Sequence, residues 1–249
     1  MLKKERQAYI LHQLNLHNKV LNVDLCNAMG VSEDTIRRDL QELSDAGKLI
    51  KVHGGALSIA FSEVQFEPGN VYSQKQKKII AEKAQRLIKS GMFILTSGGT
   101  TILEMVRALP PQLKLTIMTG SIPVVNACMS HPHVDVLVIG DKLSKDSKIT
   151  VGPEAIEKIS HVNADLCFLG TNALDIKHGH TDNDWDVVQV KKAMVNSASK
   201  VVCMTISEKL GTYQPIRVCG IERIDYLVTE LDPEDEQLQP FVKAGINVL

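Results

Sequence analysis

The 249-residue chain carries 28 Lys and Arg against 29 Asp and Glu, a formal net charge of -1, so no global field draws it to nucleic acid. Any DNA contact has to come from a local patch. Its 44% hydrophobic and 23% charged content suit a globular protein with one large or two smaller buried cores, and no apolar run approaches the roughly 18 residues that span a bilayer.

The opening "MLKKERQAYI" has charge but no apolar h-region, so no secretory signal or membrane partner is expected, and a cytoplasmic location is. From Leu2 to about Ala56 three short helical patterns precede a Gly-Gly pair. The second, "NVDLCNAMGV", ends at Gly30, where a tight turn is expected. In the third, "VSEDTIRRDL", Ile36, Leu40 and Leu43 share one face at helical spacing, and Ser32 sits where an N-cap belongs, with Thr35 in the first turn. Arg38 then points almost directly away from the apolar stripe, and Arg37 and Thr35 flank the outward face. Two readings are open for the arginine pair: a solvated face with an Asp34–Arg38 i,i+4 pair, or a helix that reads DNA. Helix, Gly-containing turn and helix make the helix-turn-helix plan. "GKLIKVHGGAL" then reads as a small β-wing with Lys48, Lys51 and His53 in reach of phosphates.

"LSIAFSEVQFEPGN" shows no sustained period and reads as a linker. Beyond it, short apolar runs alternate with helical patterns. Strands are expected over Met92–Thr96, Leu115–Thr119, Val134–Gly140, Ala164–Gly170, Lys200–Thr205 and Asp225–Glu230. Helices are expected over Gln76–Lys89, Thr100–Leu109, Ile122–Ser130, Glu154–Ser160, Trp185–Ser199 and Pro233–Ala244. Nearly continuous apolar strands between helices imply a parallel sheet covered on both faces. The expected fold class is therefore α/β: a winged helix-turn-helix domain (residues 1–57), a linker (58–74) and a Rossmann-like, mostly parallel α/β domain (75–249). The widely spaced Cys26, Cys128, Cys167, Cys203 and Cys219, mostly inside apolar runs, read as buried thiols, not as a disulfide frame or zinc site.

"LTSGGTTILEM" is the sharpest chemical feature of this part. A strand ends in Ser97-Gly98-Gly99 and Thr100-Thr101 opens a helix, an arrangement in which backbone N–H groups and two hydroxyls face an anion. It falls at the carboxyl end of a parallel strand, where open α/β sheets bind ligands. "HGHTD" sets His178, His180 and Asp182 close together. Alternate spacing suits one face of a strand and a metal, and a Gly-rich polar loop explains it equally, so no metal is assigned. There is no Walker loop and no GxGxxG, and no cofactor is implied.

Arg6, Ile10, Leu14, Ser32, Thr35, Ile36, Arg37, Arg38, Asp39 and Leu40 resemble the DeoR-family helix-turn-helix signature at every spaced position, and "HGGA" is similar to that family's wing. The resemblance implies a repressor of sugar-related genes, usually oligomeric, bound to a double-stranded operator and not itself an enzyme. Within it, Arg38 is expected at a base edge and Arg37 and Lys51 at phosphates, while Asp39 orients a neighbouring arginine. The Gly-Gly-Thr-Thr loop resembles the D-x-G-[ST]-T loop of the family's effector domains, which are similar in fold to sugar-phosphate isomerases, and it implies a sugar-phosphate-like anionic effector. Departures cluster there. Ser97 stands for the loop Asp, Gly120 for the Asn of a Thr-Asn pair, and Asp141 for the second Gly of a Gly-Gly. Ile206 stands for the Asp of a D-S-S-K-like segment, and Val187, beside Asp186, for an acid before Lys191. Gly98, Gly99, Thr100, Thr101, Gly152, Lys191 and Lys209 remain as phosphate-type groups. Three functions follow: a sensor-regulator, a constitutive DNA-binding protein whose second domain only dimerises, and an isomerase or deaminase carrying a DNA module. The last needs a carboxylate or histidine base where Ser97 and Ile206 stand.

Overall fold

The computed structural model describes residues 1–59 and 72–249, and its chain divides into two compact units, Met1–Tyr72 and Ser73–Leu249. Most of the stretch expected to be a linker, residues 60–71, lies outside the described residues.

In the first unit α1 (Lys3–His17) leads into β1 (Lys19–Leu21), α2 (Asn22–Met29) and α3 (Glu33–Asp45), followed by the hairpin β2 (Ile50–Val52) and β3 (Gly55–Leu57). The strands form one antiparallel sheet in the order β1-β3-β2. The wing is thus three-stranded. The sequence reading missed β1, whose three residues are too short to show a period. Gly30 ends α2 in the left-handed region, and the Ser32 hydroxyl accepts from the Thr35 N–H to start α3. Ile10, Leu14, Leu25, Ile36, Leu40, Leu43, Leu49 and Ala56 close one core between the helices and the wing. Burying an Ile or Leu side chain is worth about 1.5–3 kcal/mol. The apolar stripe read from "TIRRDLQEL" is therefore what fixes which face of α3 stays outside.

The second unit is built on a seven-stranded, all-parallel sheet in the order β15-β14-β12-β9-β4-β5-β6. Its strands are β4 (Phe93–Thr96), β5 (Leu115–Thr119), β6 (Val134–Val138), β9 (Ala164–Gly170), β12 (Ala198–Met204), β14 (Tyr226–Val228) and β15 (Asn247–Val248). All six expected strands are present, with β15 added at an edge. The helices are α4 (Gln74–Gln85), α5 (Thr100–Arg107), α6 (Ile122–Cys128), α7 (Pro153–Ser160), α8 (Trp185–Asn196) and α9 (Gln239–Lys243). The single helix expected over Pro233–Ala244 is instead a 3-10 turn at Glu236–Leu238 followed by the short α9. Asp232 and Asp235 each accept a backbone N–H two residues ahead, folding "DPEDE" into turns, and Pro240 restarts the helix.

Two smaller elements went unread in the sequence: the hairpin β7 (Lys142–Ser144) and β8 (Ile149–Val151), and an antiparallel sheet of β10 (Ala173–Asp175), β11 (Gly179–Asp182) and β13 (Ile216–Cys219). The second of these decides "HGHTD": Gly179–Asp182 is strand β11, and His178 lies in the turn before it. All five cysteines are free thiols, buried except for Cys26, which is half-buried.

Candidate functional sites: a DNA-reading head and a strand-end pocket

On α3 the predicted residues lie as the wheel implies. Arg37 and Arg38 are exposed, Thr35 is half-buried, and exposed Ser32 caps the helix, its hydroxyl 3.0 Å from that of Thr35. Arg38 makes no hydrogen bond or ion pair among the described residues. The Asp34–Arg38 pair is not formed; Arg37 pairs with Glu33 instead, at 2.9 Å on the open surface. Lys51, exposed on β2, reaches Gln41 on the outer side of α3 at 2.9 Å, so wing and helix touch there. Lys48 and His53 are exposed, the latter at the hairpin turn.

Asp39 does orient an arginine, that of α1. Its carboxylate accepts from Arg6 Nε at 2.7 Å and from a terminal guanidinium nitrogen at 3.2 Å. That hydrogen bond and charge raise the Arg6 pKa against the opposing pull of desolvation. Glu42, one turn on, accepts from Lys3 at 2.6 Å and Gln7 at 2.9 Å, and the Lys3 bond lowers its pKa. Polar bonds from α1 therefore brace the inner side of α3, leaving its Arg38 side open.

The second site gathers at the carboxyl ends of β4, β9 and β12. Ser97 Oγ, fully buried, accepts the Gly170 N–H at 2.9 Å. Lys191 Nζ donates to the Gly170 carbonyl at 2.9 Å, and Lys209 Nζ to the Thr171 carbonyl at 3.1 Å. Three predicted residues from distant parts of the chain thus converge on two consecutive peptides. Gly170 has no room for a side chain, since a Cβ there would stand 2.6 Å from the Gly98 carbonyl oxygen. The Gly98-Gly99 loop passes directly over it. Gly99 opens α5 with φ 112°, a value that favours glycine. Thr100 is half-buried and Thr101 buried in the first turn.

Around this point lie groups the sequence reading had not assigned to the site. Asp182, at the end of β11, accepts from Lys191 at 2.7 Å and from Asn172 at 3.1 Å. Burial opposes ionisation of Asp182, but the Lys191 charge and hydrogen bond hold its pKa below the ordinary value. Buried Lys77 of α4 faces Glu104, and burial brings its pKa down to about 8. Burial, with Lys77 nearby, pulls Lys209 down to about 7. The signal for Lys77 was present in the sequence: with Ile80, Ala81 and Ala84 it lies on the helix stripe that packs inward. Lys191 shares a stripe with Val187, Met194 and Val195 in the same way.

His180, fully buried on β11, lies 3.9 Å from the Cys203 sulfur, and desolvation and the Lys191 charge push its pKa down to about 3. His178 points elsewhere, bonding Asp175 at 2.8 Å and stacking on Tyr213. Among the described residues no group of three His, Cys, Asp or Glu side chains is placed to hold a metal ion.

At three of the departing positions the chain's own polar atoms take up the space. Ser97 is bound to Gly170. The Thr150 hydroxyl bonds the Ile139 carbonyl at 2.6 Å and stands where a side chain at position 120 would project. Asp141, at φ 144°, accepts from Lys142 N at 2.6 Å, Glu154 N at 2.9 Å and Ala155 N at 3.2 Å. Gly152, expected at the effector site, stands next to a carboxylate of the chain's own. Gly152 begins α7, and the N–H groups just beyond it already hold the Asp141 carboxylate, whose pKa those bonds lower. A Cβ at 152 would collide with that carboxylate.

A winged helix-turn-helix unit joined to a parallel α/β unit with a polar strand-end site is the plan of a ligand-responsive transcriptional regulator. Sequence comparison agrees: the DeoR-like helix-turn-helix domain matches residues 6–61 and the DeoR C terminal sensor domain matches residues 72–231. The chain belongs to the DeoR family of transcriptional regulators. It is 31% identical over 251 residues to the HTH-type transcriptional regulator GlpR of Haloferax volcanii, covering 100% of this chain and 98% of that one. To the HTH-type transcriptional repressor GlcR of Bacillus subtilis it is 27% identical, with 100% and 96% covered. Among solved structures, ribose 5-phosphate isomerase A of Methanocaldococcus jannaschii is similar with a TM-score of 0.41 and 17% identity, covering 55% of this chain and 54% of that one. No helix among the described residues is long and apolar enough to cross a membrane.

Proposed function

We propose that the chain is a sequence-specific repressor of sugar-metabolism genes, acting as a homo-oligomer on double-stranded operator DNA and modulated by a sugar-phosphate-like anion. The observation that carries the sensing half is the convergence of Ser97, Lys191 and Lys209 on Gly170 and Thr171, under the Gly98–Thr101 loop. In the DNA-binding half, Arg38 projects to a base edge and Arg37 and Lys51 exchange their internal partners for phosphates. Lys48, His53, Ser32 and Thr35 line the same approach. One head covers few base pairs, and two half-sites multiply specificity.

The geometry argues against catalysis. Asp182 is tied to Lys191, His180 is buried and held neutral, Ser97 is committed to Gly170, and Ile206 is apolar. None of these offers a free general base at the strand ends. A constitutive DNA-binding protein with a non-sensing second unit is the alternative favoured by Asp141, which fills the start of α7 from within.

Thermal unfolding against sugar phosphates, their free sugars and inorganic phosphate separates the two. A ligand at a hundred times its Kd stabilises by about 2.7 kcal/mol. Sensing predicts that one sugar phosphate raises the midpoint and its free sugar does not. A midpoint that no compound moves leaves the second unit a dimerisation body.

A further inference from the structure

The parallel sheet has two edges of different character. At one it stops with the two residues of β15, and at the other with the five of β6, of which only Asp135 is charged. Leu137 and Val138 on β6 are exposed, as are Met129 before it and Leu143 after it. Natural sheets keep open edges short, charged or covered, because a row of free N–H and C=O groups pairs readily with a second strand.

The register of β5 on β6 determines which groups of the edge are free. Leu115 stands beside Val134 and Thr119 beside Val138. The Leu115 N–H donates to the His133 carbonyl at 3.4 Å, and the Ile139 N–H to the Thr119 carbonyl at 2.9 Å. In a parallel pair alternate residues bond to the neighbouring strand. Asp135 and Leu137 therefore bond inward to β5, and Val134, Val136 and Val138 turn their N–H and C=O groups outward. Two of these groups are met within the chain. The Val134 N–H donates to the His131 carbonyl at 3.2 Å, and the Val138 carbonyl accepts from Lys158 Nζ at 2.8 Å. The Val134 carbonyl, both groups of Val136 and the Val138 N–H have no partner among the described residues.

That remainder is complementary to itself. Two copies of β6 running antiparallel about a two-fold axis at Val136 set each Val136 N–H against the partner's Val136 carbonyl, and each Val138 N–H against the partner's Val134 carbonyl. The groups this register leaves over, the Val134 N–H and the Val138 carbonyl, are the two already bound inside each chain. An axis at any other residue of the strand would set one of these bound groups against a free one. The same register places β-branched Val opposite Val, a favourable cross-strand pair, and Asp135 opposite the partner's Leu137.

We propose that β6 is a self-docking edge: two copies of this chain join β6 to β6, antiparallel about Val136, into one continuous sheet. This rests on the homo-oligomer reading above and gives it a surface.

The test is the mass of the full-length chain by sedimentation equilibrium over a range of concentrations. The wild type associates, and Val136→Pro halves the mass. The proline removes an N–H that makes no bond within the chain, as prolines on natural edge strands do, so the circular dichroism stays that of the wild type. Two substitutions of exposed Leu137 test the register without touching the ladder. Leu137→Asp sets like charges opposite each other at both ends of the pairing, and Leu137→Lys sets opposite charges there. The Asp variant should therefore have a dissociation constant higher than the Lys variant's by about ten-fold or more. An edge that associates through apolar area alone would be weakened equally by both.

If the wild type associates and neither Val136→Pro nor Leu137→Asp changes its mass, the oligomer stands and the β6 edge is overturned as its surface. Equal weakening by Leu137→Asp and Leu137→Lys overturns the register about Val136. A wild type that stays a single chain at every concentration overturns the oligomer reading and this proposal together.

Discussion

The two units spend their polar side chains in opposite ways. In the first, polar bonds hold α3 from behind, Arg6 to Asp39 and Lys3 and Gln7 to Glu42, while Arg38 is left open to solvent. In the second, the polar groups at the strand ends are bound to one another. Ser97 holds Gly170, Lys191 holds Asp182, and Asp141 holds the start of α7. A surface built for a large, charged, external partner exposes its donors. A pocket for a small ligand commits most of its groups to one another. The difference shows where each unit is sensitive: the head to loss of a side chain's reach, the pocket to loss of a partner.

The largest effect is expected in the pocket. Lys191→Met leaves Asp182 buried without its cation, a defect worth about 3–5 kcal/mol, which denaturant unfolding of the full chain would register. The exposed pair of the head gives the contrast: removing it by Glu33→Gln should shift stability by about 0–1 kcal/mol. Gly170→Ala comes next. Its new methyl meets the Gly98 carbonyl oxygen at 2.6 Å, a backbone atom that cannot swing aside, and overpacking of this kind costs about 1–3 kcal/mol. The Gly98–Thr101 loop should shift and anion binding should weaken together with stability. Loss of stability with unchanged anion binding would detach the loop from the site.

In the head, Arg38→Ala should remove about 1–3 kcal/mol of discrimination at one base pair, whereas Lys51→Ala should weaken all duplexes alike and lower the salt slope by about 1. A uniform loss for Arg38→Ala would turn it into a phosphate contact. The smallest effect is the acid sensitivity of Asp141. Its carboxyl titrates below the ordinary value in the folded chain. Its contribution is therefore complete above the ordinary carboxylate range and lost as pH falls through the lowered value. Asp141→Asn should remove that part of the acid transition and leave neutral-pH DNA binding unchanged.

Legibility followed the same division. The head was readable because its signal is local. One amphipathic stripe, Ile36, Leu40 and Leu43, fixes which way Arg38 faces, and one serine starts the helix. Only the three residues of β1, too few for a period, escaped. The six apolar strands of the sheet were readable for the same reason. The pocket was not, because it forms only when the ends of β4, β9 and β12 come together, and sequence spacing does not tell that Lys191 and Lys209 reach adjacent carbonyls. The Gly-Gly-Thr-Thr loop could be named, but not what lay beneath it. Lys77 left a visible trace, a charged residue on an otherwise apolar stripe, and "HGHTD" was ambiguous until pairing with β10 and β13 made Gly179–Asp182 a strand. The i,i+4 pair that forms on α3 is Glu33–Arg37, one residue back from the expected Asp34–Arg38.

The measurement that tests the central claim most directly is selection of bound duplexes from a random pool by the full-length chain and by Arg38→Ala. The account predicts that the wild type enriches one short motif, repeated as two half-sites, and that Arg38→Ala enriches the same motif with a single position in each half relaxed. Enrichment of no motif by the wild type, or of an identical motif by the variant, would contradict it.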